Sequence, residues 1–242
     1  MTTMPAISSI TPTTAATTLE DVINFIAKSG IDNPAIWSHL DRTNTVIVNK
    51  LLIELDAAES ETYDKAVHTT VTKAQFEALK SGKKGKVFEN LTIELMAGLT
   101  CFGVRSDVTT DVNQLDLLVS LEPNSSIVPA LRNWGSHIIC ECKFHDTGVS
   151  VTWVEKLHSI LRTHKAKVGI LISKKGISKV GRGASVVHLL HMLAVDNCHV
   201  ICLSREDLNN CAAKGGLLKL LVDRYVAIGN GIPQFMKEKI AA

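Results

Sequence analysis

The chain has 242 residues, 45% hydrophobic and 21% charged, with a formal net charge of +2. This is the composition of an ordinary soluble globular protein, one domain or one domain plus a small extension, and it excludes a fibrous or fully disordered chain. No apolar run approaches the roughly 18–20 residues that a membrane-spanning helix needs; the longest, Val186 to Val195, is interrupted by His188 and His191.

Residues 1–18 are rich in Thr, Ala and Ser and carry no charged side chain. They lack the basic start and continuous apolar stretch of a secretory signal and are expected to be a disordered tail. Residues 19–80 are expected to form a helical N-terminal extension. Val22, Ile23, Phe25 and Ile26 make a short amphipathic stretch, Asn33-Pro34 breaks it, and Val46 to Leu55 and Thr72 to Leu79 read as further helices. Ser81-Gly82-Lys83-Lys84-Gly85 reads as a loop, which puts a boundary before a second unit at residues 82–242.

In that second unit Phe88, Leu91, Leu95 and Leu99 fall at helical spacing, with Glu89 at the edge of the apolar stripe. A strand follows around Val104 to Thr109, then strands at Val112 to Leu121 and His137 to Phe144, separated by a loop around Pro123 to Gly135. A helix presents Trp153, Val154, Leu157, Ile160 and Leu161 on one side. Val168 to Ser173 is nearly all apolar, as in a sheet covered on both faces. A helix at 184–195, a strand at His199 to Leu203 and a helical region to about Ala227 complete the chain. Ser204 stands as the N-cap of that region, with Glu206 and Asp207 in its first turn.

Two of these strands carry charge where a buried strand should have none. Asp116 lies in Gln114-Leu115-Asp116-Leu117-Leu118-Val119, and Glu141 and Lys143 lie in Ile138-Ile139-Cys140-Glu141-Cys142-Lys143. Strand alternation sends Ile138, Cys140 and Cys142 to one face and Glu141 and Lys143 to the other. Charged groups are almost never fully buried without a partner, so the pattern marks a site.

Asp116 followed by Glu141-Cys142-Lys143 on the next strand resembles the Asp…Glu-x-Lys signature of the restriction-endonuclease-like superfamily. The resemblance covers roughly residues 82 to 227 and is closest in style to type IV (Mrr-like) restriction endonuclease domains. Leu115 stands where a proline often precedes the first acid. The resemblance implies an α/β fold with an αβββαβ core and a mixed central sheet flanked by helices. It implies a DNA endonuclease acting in restriction or defence, with Asp116, Glu141 and Lys143 catalytic. Asp116, Glu141 and Glu89 would hold Mg2+, with Mn2+ able to substitute. A Holliday-junction-resolvase-like or repair nuclease, and a nuclease-dead binding or scaffold subunit, are the alternative readings. Such chemistry suits the residues: carboxylates anchor a hard cation that activates water, and a lysine two positions on stabilises the phosphate.

Charge is unevenly spread. Residues 1–80 hold ten acids and six bases, whereas residues 143–182 hold nine bases against Asp146 and Glu155. The basic block suits a polyanionic substrate, with Lys165, Lys167, Lys174, Lys175 and Lys179 as candidate DNA contacts. Lys156 reads equally as a phosphate contact or as solvated surface. The acidic first segment, residues 19–80, suits a homodimer or partner-protein contact. Six cysteines with no CxxC pair are expected to be free buried thiols and, with no signal sequence, to place the protein in a reducing cytoplasm.

Overall fold

The structure is a computed structural model and describes residues 34–111, 114–177 and 182–231. The expected tail at 1–18, the stretch from 19 to 33, the start of the second strand at 112–113 and Lys179 lie outside the described residues. Helices α1 (Pro34–Leu40), α2 (Thr45–Ser60) and α3 (Lys73–Ala97) lead into strands β1 (Phe102–Thr109), β2 (Gln114–Leu121) and β3 (His137–Lys143). Then come α4 (Val151–Thr163), β4 (Val168–Ser173), α5 (Arg182–Val195), β5 (His199–Ser204), α6 (Arg205–Lys214) and α7 (Leu217–Gly229). The chain is therefore α/β, with a five-stranded mixed sheet in the order β1-β2-β3-β4-β5 and helices on both faces. Strands β1 to β3 form an antiparallel meander, and β3, β4 and β5 run parallel.

Burial explains the two layers. Alternate residues of the central strands face opposite sides. Ile138, Cys140, Ile170, Ile172, Ile201 and Leu203 join Phe88, Leu91 and Leu95 of α3 and the apolar faces of α6 and α7. Ile139, Leu171, Val200 and Cys202 join Val154, Leu157 and Leu161 of α4 and Val186 and Leu190 of α5. All six residues of β4 are buried, as its apolar sequence requires. Gly169 sets the spacing of the second layer: a Cβ there would come within 2.9 Å of Leu161 Cδ1 and 3.0 Å of Leu157 Cδ2. The missing side chain thus lets α4 lie close on the sheet.

The loop expected at residues 81–85 is instead the middle of α3, a 25-residue helix capped by a Thr72–Gln75 capping box. Each interior glycine costs about 1 kcal/mol relative to alanine. Burial of Phe76 on one side, and of Phe88, Leu91, Leu95 and Met96 on the other, outweighs that cost. Gly82 and Gly85 face open space. Lys80 and Lys83 reach back to Glu61, fastening the first half of the helix to the end of α2. Leu40 of α1, with Val48 and Leu55 of α2, belongs to the same core cluster as α3 and the sheet. The expected loop from Pro123 to Gly135 contains two short 3-10 turns, Pro123–Ile127 and Pro129–Asn133. The last helical region is two helices, parted where Gly215 and Gly216 take positive φ. Ser204 caps α6 and pairs with Asp207 in a capping box.

The six cysteines are free thiols. Cys140 lies in one layer of the core and Cys198 and Cys202 in the other. Burial pushes the Cys142 and Cys202 thiols up to about 12, so both are neutral at physiological pH. Among the described residues no helix is long and apolar enough to cross a membrane.

Candidate active site

The sheet changes character at β3, which pairs antiparallel with β2 and parallel with β4. Residue pairing between β2 and β3 runs from Ser120↔His137 to Leu117↔Cys140 and ends there. One step further, the Asp116 side chain replaces the strand backbone as a partner: its Oδ2 accepts the Cys142 N–H at 2.7 Å. Continuing the same register, Asp116 lies level with Glu141 on β3 and with Asp107 on β1. Asp107 has φ +51°, a conformation disfavoured for a residue with a side chain, and leaves the β1–β2 pairing at this point. Leu115 and Leu117, on either side of Asp116, bury into different layers, so β2 also turns here.

Glu141 and Lys143 share the face covered by α4. Glu141 is 4% exposed, and its Oε1 receives Lys143 Nζ at 2.5 Å and Lys156 Nζ, from α4, at 3.2 Å. A carboxylate so deeply buried requires such partners, because the desolvation of an unpaired charge costs several kcal/mol. Lys156 reaches across because Gly169 lets α4 approach the sheet. Lys143 Nζ also donates to the Cys142 carbonyl at 3.2 Å. Burial raises the Asp116 carboxyl above the usual carboxylate range; the Cys142 N–H opposes that shift, and the Glu141 charge adds to it. Two acids thus sit on neighbouring strands, close enough for the Glu141 charge to act on Asp116, with two ammonium groups at Glu141.

Glu89 approaches from the other side. It lies on α3, which packs on the Cys140 face, and its Oε2 pairs with Lys86 at 3.2 Å. Lys86 in turn holds Asp107 Oδ2 at 3.1 Å. Burial raises the Glu89 carboxyl, and the charges of Asp107 and Asp116 add to the effect. Among the described residues no three His, Cys, Asp or Glu side chains converge tightly enough to hold a metal ion. The three-carboxylate set of Glu89, Asp116 and Glu141 is therefore not assembled, because the sheet separates Glu89 from Glu141. The pair Asp116 and Glu141 does fit a hard cation in its donor chemistry. Each has a carboxylate oxygen (Oδ1 and Oε2) with no hydrogen bond to another described residue. Magnesium is commonly held by one or two carboxylates, with water completing its shell.

The basic block divides between the two ends of β4. Lys174 follows the C-terminal end, near the acids, but it is half-buried and already paired. Its Nζ lies 2.5 Å from Glu59 of α2, 2.5 Å from Asp146, and over the Phe144 ring at 5.3 Å from the centroid. Asp56 and Glu59 also bind Arg205. Part of the acidic charge of the first eighty residues is thus spent at this end of the sheet. Lys175 is exposed there. Lys165 and Lys167 precede β4 at its N-terminal end, where Val168 pairs with Ile138. Lys167 is six positions from Ser173, the residue level with Lys143, which at about 3.3 Å per residue is roughly 20 Å along the strand. Lys165 and Lys167 do not share a surface with the acids, in contrast to the sequence grouping.

Lys156, which the sequence read equally as a phosphate contact or as solvated surface, reaches Glu141 from α4 alongside Lys143. Asp107 and Glu59 had no signal in the sequence, since their roles depend on a backbone turn and on a contact between distant segments. No protein-family model, curated protein or solved structure matches the chain.

Proposed function

We propose that the chain is a metal-dependent endonuclease of the restriction-endonuclease-like superfamily, hydrolysing phosphodiester bonds of DNA in restriction or defence against foreign DNA. The observation that carries this reading is the meeting of Asp116, Glu141 and Lys143 on neighbouring strands where the β2–β3 pairing ends. The order α3-β1-β2-β3-α4-β4 supports the αβββαβ core expected of such a nuclease.

In this reading Asp116 and Glu141 hold Mg2+, for which Mn2+ can substitute. When bound, the ion supplies an activated water and neutralises charge on the phosphate. Asp116 is fixed by the Cys142 N–H and Glu141 by its place in the buried strand, so both anchors are preorganised. Lys143 and Lys156 give the site two positive charges at Glu141 Oε1. A phosphodiester entering here offers these ammonium groups a second anionic partner, on which charge grows in the transition state. Lys175 is the exposed lysine positioned to meet a neighbouring phosphate, and Lys174 stays with Glu59 and Asp146.

One observation favours a second reading, a nuclease-dead binding or scaffold subunit: Glu141 is already neutralised by two lysines, and no three-ligand metal group is formed among the described residues. Incubating the purified chain with plasmid, linear and modified DNA, with and without Mg2+ or Mn2+, separates the two. Nicking or linearisation that needs metal supports the nuclease. DNA binding without cleavage under all metal conditions supports the scaffold subunit.

A further inference from the structure

At the end of the sheet opposite the carboxylates, the turns after α4 and α5 enclose a surface cleft of about 530 Å³. This lies within the size range of small-molecule sites. Arg162, Lys165 and Lys167 line it together with His158. All three cationic side chains are exposed, and among the described residues none of them is in an ion pair. At the carboxylate end Lys86, Lys143, Lys156, Lys174 and Arg205 are by contrast each paired with a carboxylate, and Lys175 is exposed.

The backbone holds these charges in place. Both helices end alike: Ala166 N–H bonds Leu161 O at 2.9 Å, and Cys198 N–H bonds Leu193 O at 2.9 Å. In each turn one residue takes a left-handed conformation, Lys165 at φ +55° and Asn197 at φ +58°. Asparagine tolerates that conformation, and glycine is the usual occupant. Lysine has neither advantage, so the turn holds Lys165 against its own preference, with its side chain lining the cleft. Cations near a helix C-terminus are favoured by its partial negative charge. That accounts for Arg162 in the last turn of α4, but not for two further lysines on either side of Ala166.

We propose that this cleft binds a nucleotide carrying at least two phosphates, at a site separate from the carboxylate pair. Three cations against the single carboxylate of Asp196 leave the cleft a surplus of two positive charges, which favours a polyanionic group such as a di- or triphosphate without neutralising it fully. Asp196 would repel a bare phosphate close to it and is instead an acceptor for a hydroxyl or amino group. Asn197 beside it both donates and accepts. Leu161 is fully buried and Ala166 is 8% exposed, so the apolar part of the cleft is the methylene stems of Arg162, Lys165 and Lys167, against which a ring can lie. A ligand with phosphates at one end and a hydroxylated, ring-bearing group at the other uses all of these features. The inference does not depend on the nuclease reading.

Calorimetric titration of the full chain with ATP and, separately, with pyrophosphate is the test. The expected result is saturable 1:1 binding of ATP, with pyrophosphate about tenfold weaker or more. Arg162→Ala and the double variant Lys165→Ala with Lys167→Ala should each weaken ATP binding by about tenfold or more, as expected when a hydrogen bond to a charged group is lost. Asp116→Ala and Lys175→Ala, at the other end of the sheet, should leave it unchanged. The substituted side chains are exposed, and an unchanged far-UV circular dichroism spectrum would exclude misfolding as the cause. Absence of saturable binding at millimolar ATP would overturn the proposal, as would binding that ignores the cleft variants. Pyrophosphate binding as tightly as ATP would refute the nucleotide assignment. Loss of duplex-DNA affinity in the cleft variants with no ATP binding would make the surface a nucleic-acid contact instead.

Discussion

Asp116 makes two opposed contributions to stability, and two substitutions separate them. Its carboxylate accepts the Cys142 N–H at 2.7 Å beyond the end of the β2–β3 pairing. Its charge, however, is partly desolvated, which raises its pKa. Asp116→Asn keeps an oxygen able to accept that hydrogen bond and removes the charge. Asp116→Ala removes both and leaves a strand amide without its partner, a cost of about 1–3 kcal/mol. The asparagine variant should therefore be more stable than the alanine variant by about that amount, or roughly 2–12 °C in Tm for a chain of this size. It should also equal or exceed the native protein at neutral pH. The sign follows from linkage. The folded carboxyl keeps its proton to a higher pH than the unfolded one, so native stability falls as pH rises from the ordinary carboxylate value of about 3.9 through the raised folded value. The asparagine advantage over native protein is complete above that window and shrinks as pH is lowered towards about 4. Thermal unfolding followed by far-UV circular dichroism at several pH values measures both effects. If Asp116→Asn is as destabilising as Asp116→Ala, or the native protein is the most stable of the three at neutral pH, the charge is not a burden in this fold and the reasoning fails. Both variants should lose cleavage.

Gly169→Ala would press a methyl group against Leu157 and Leu161, costing about 1–3 kcal/mol by overpacking; the cleavage rate should fall with it as α4 carries Lys156 away from Glu141, and an unfolding midpoint equal to that of the native protein would contradict this. Lys175→Ala should flatten the slope of log affinity against log salt on duplex DNA by roughly 0.9, whereas Lys174→Ala, already paired with Glu59 and Asp146, should lower stability and leave the slope unchanged; equal slopes in the two variants would refute the distinction. Calcium should bind but support little cleavage and manganese should replace magnesium, because the looser calcium shell misplaces the attacking water. Undiminished cleavage in excess chelator would assign the carboxylates another role.

The elements legible in the sequence were those whose pattern is local. Val168 to Ser173 is apolar but for its terminal serine, and a central strand covered on both faces can be little else. The alternation of Ile139, Glu141 and Lys143 against Ile138, Cys140 and Cys142 gave the faces of β3 correctly. The helix through residues 81–85 was not legible, because Gly82 and Gly85 signal a break locally while distant apolar residues keep the helix whole. The acids on β2 and β3 could be paired from the sequence, but Glu89 could not be assigned to the opposite face without the packing of α3. Lys165, Lys167 and Lys174 are near neighbours in the chain and stand at opposite ends of one strand. Asp56 and Glu59 meet Arg205 across nearly 150 residues, a contact that no local pattern encodes.

The most direct test of the nuclease reading is the rate at which the full chain converts supercoiled plasmid to nicked and linear forms as magnesium is titrated, measured beside Glu141→Gln. Glutamine keeps the size of the side chain and its hydrogen-bonding reach but cannot anchor a cation with charge. The expected result is saturable, magnesium-dependent cleavage by the native protein and a loss of several orders of magnitude in the variant. No cleavage by the folded native protein at any magnesium or manganese concentration, or equal cleavage by Glu141→Gln, would contradict it.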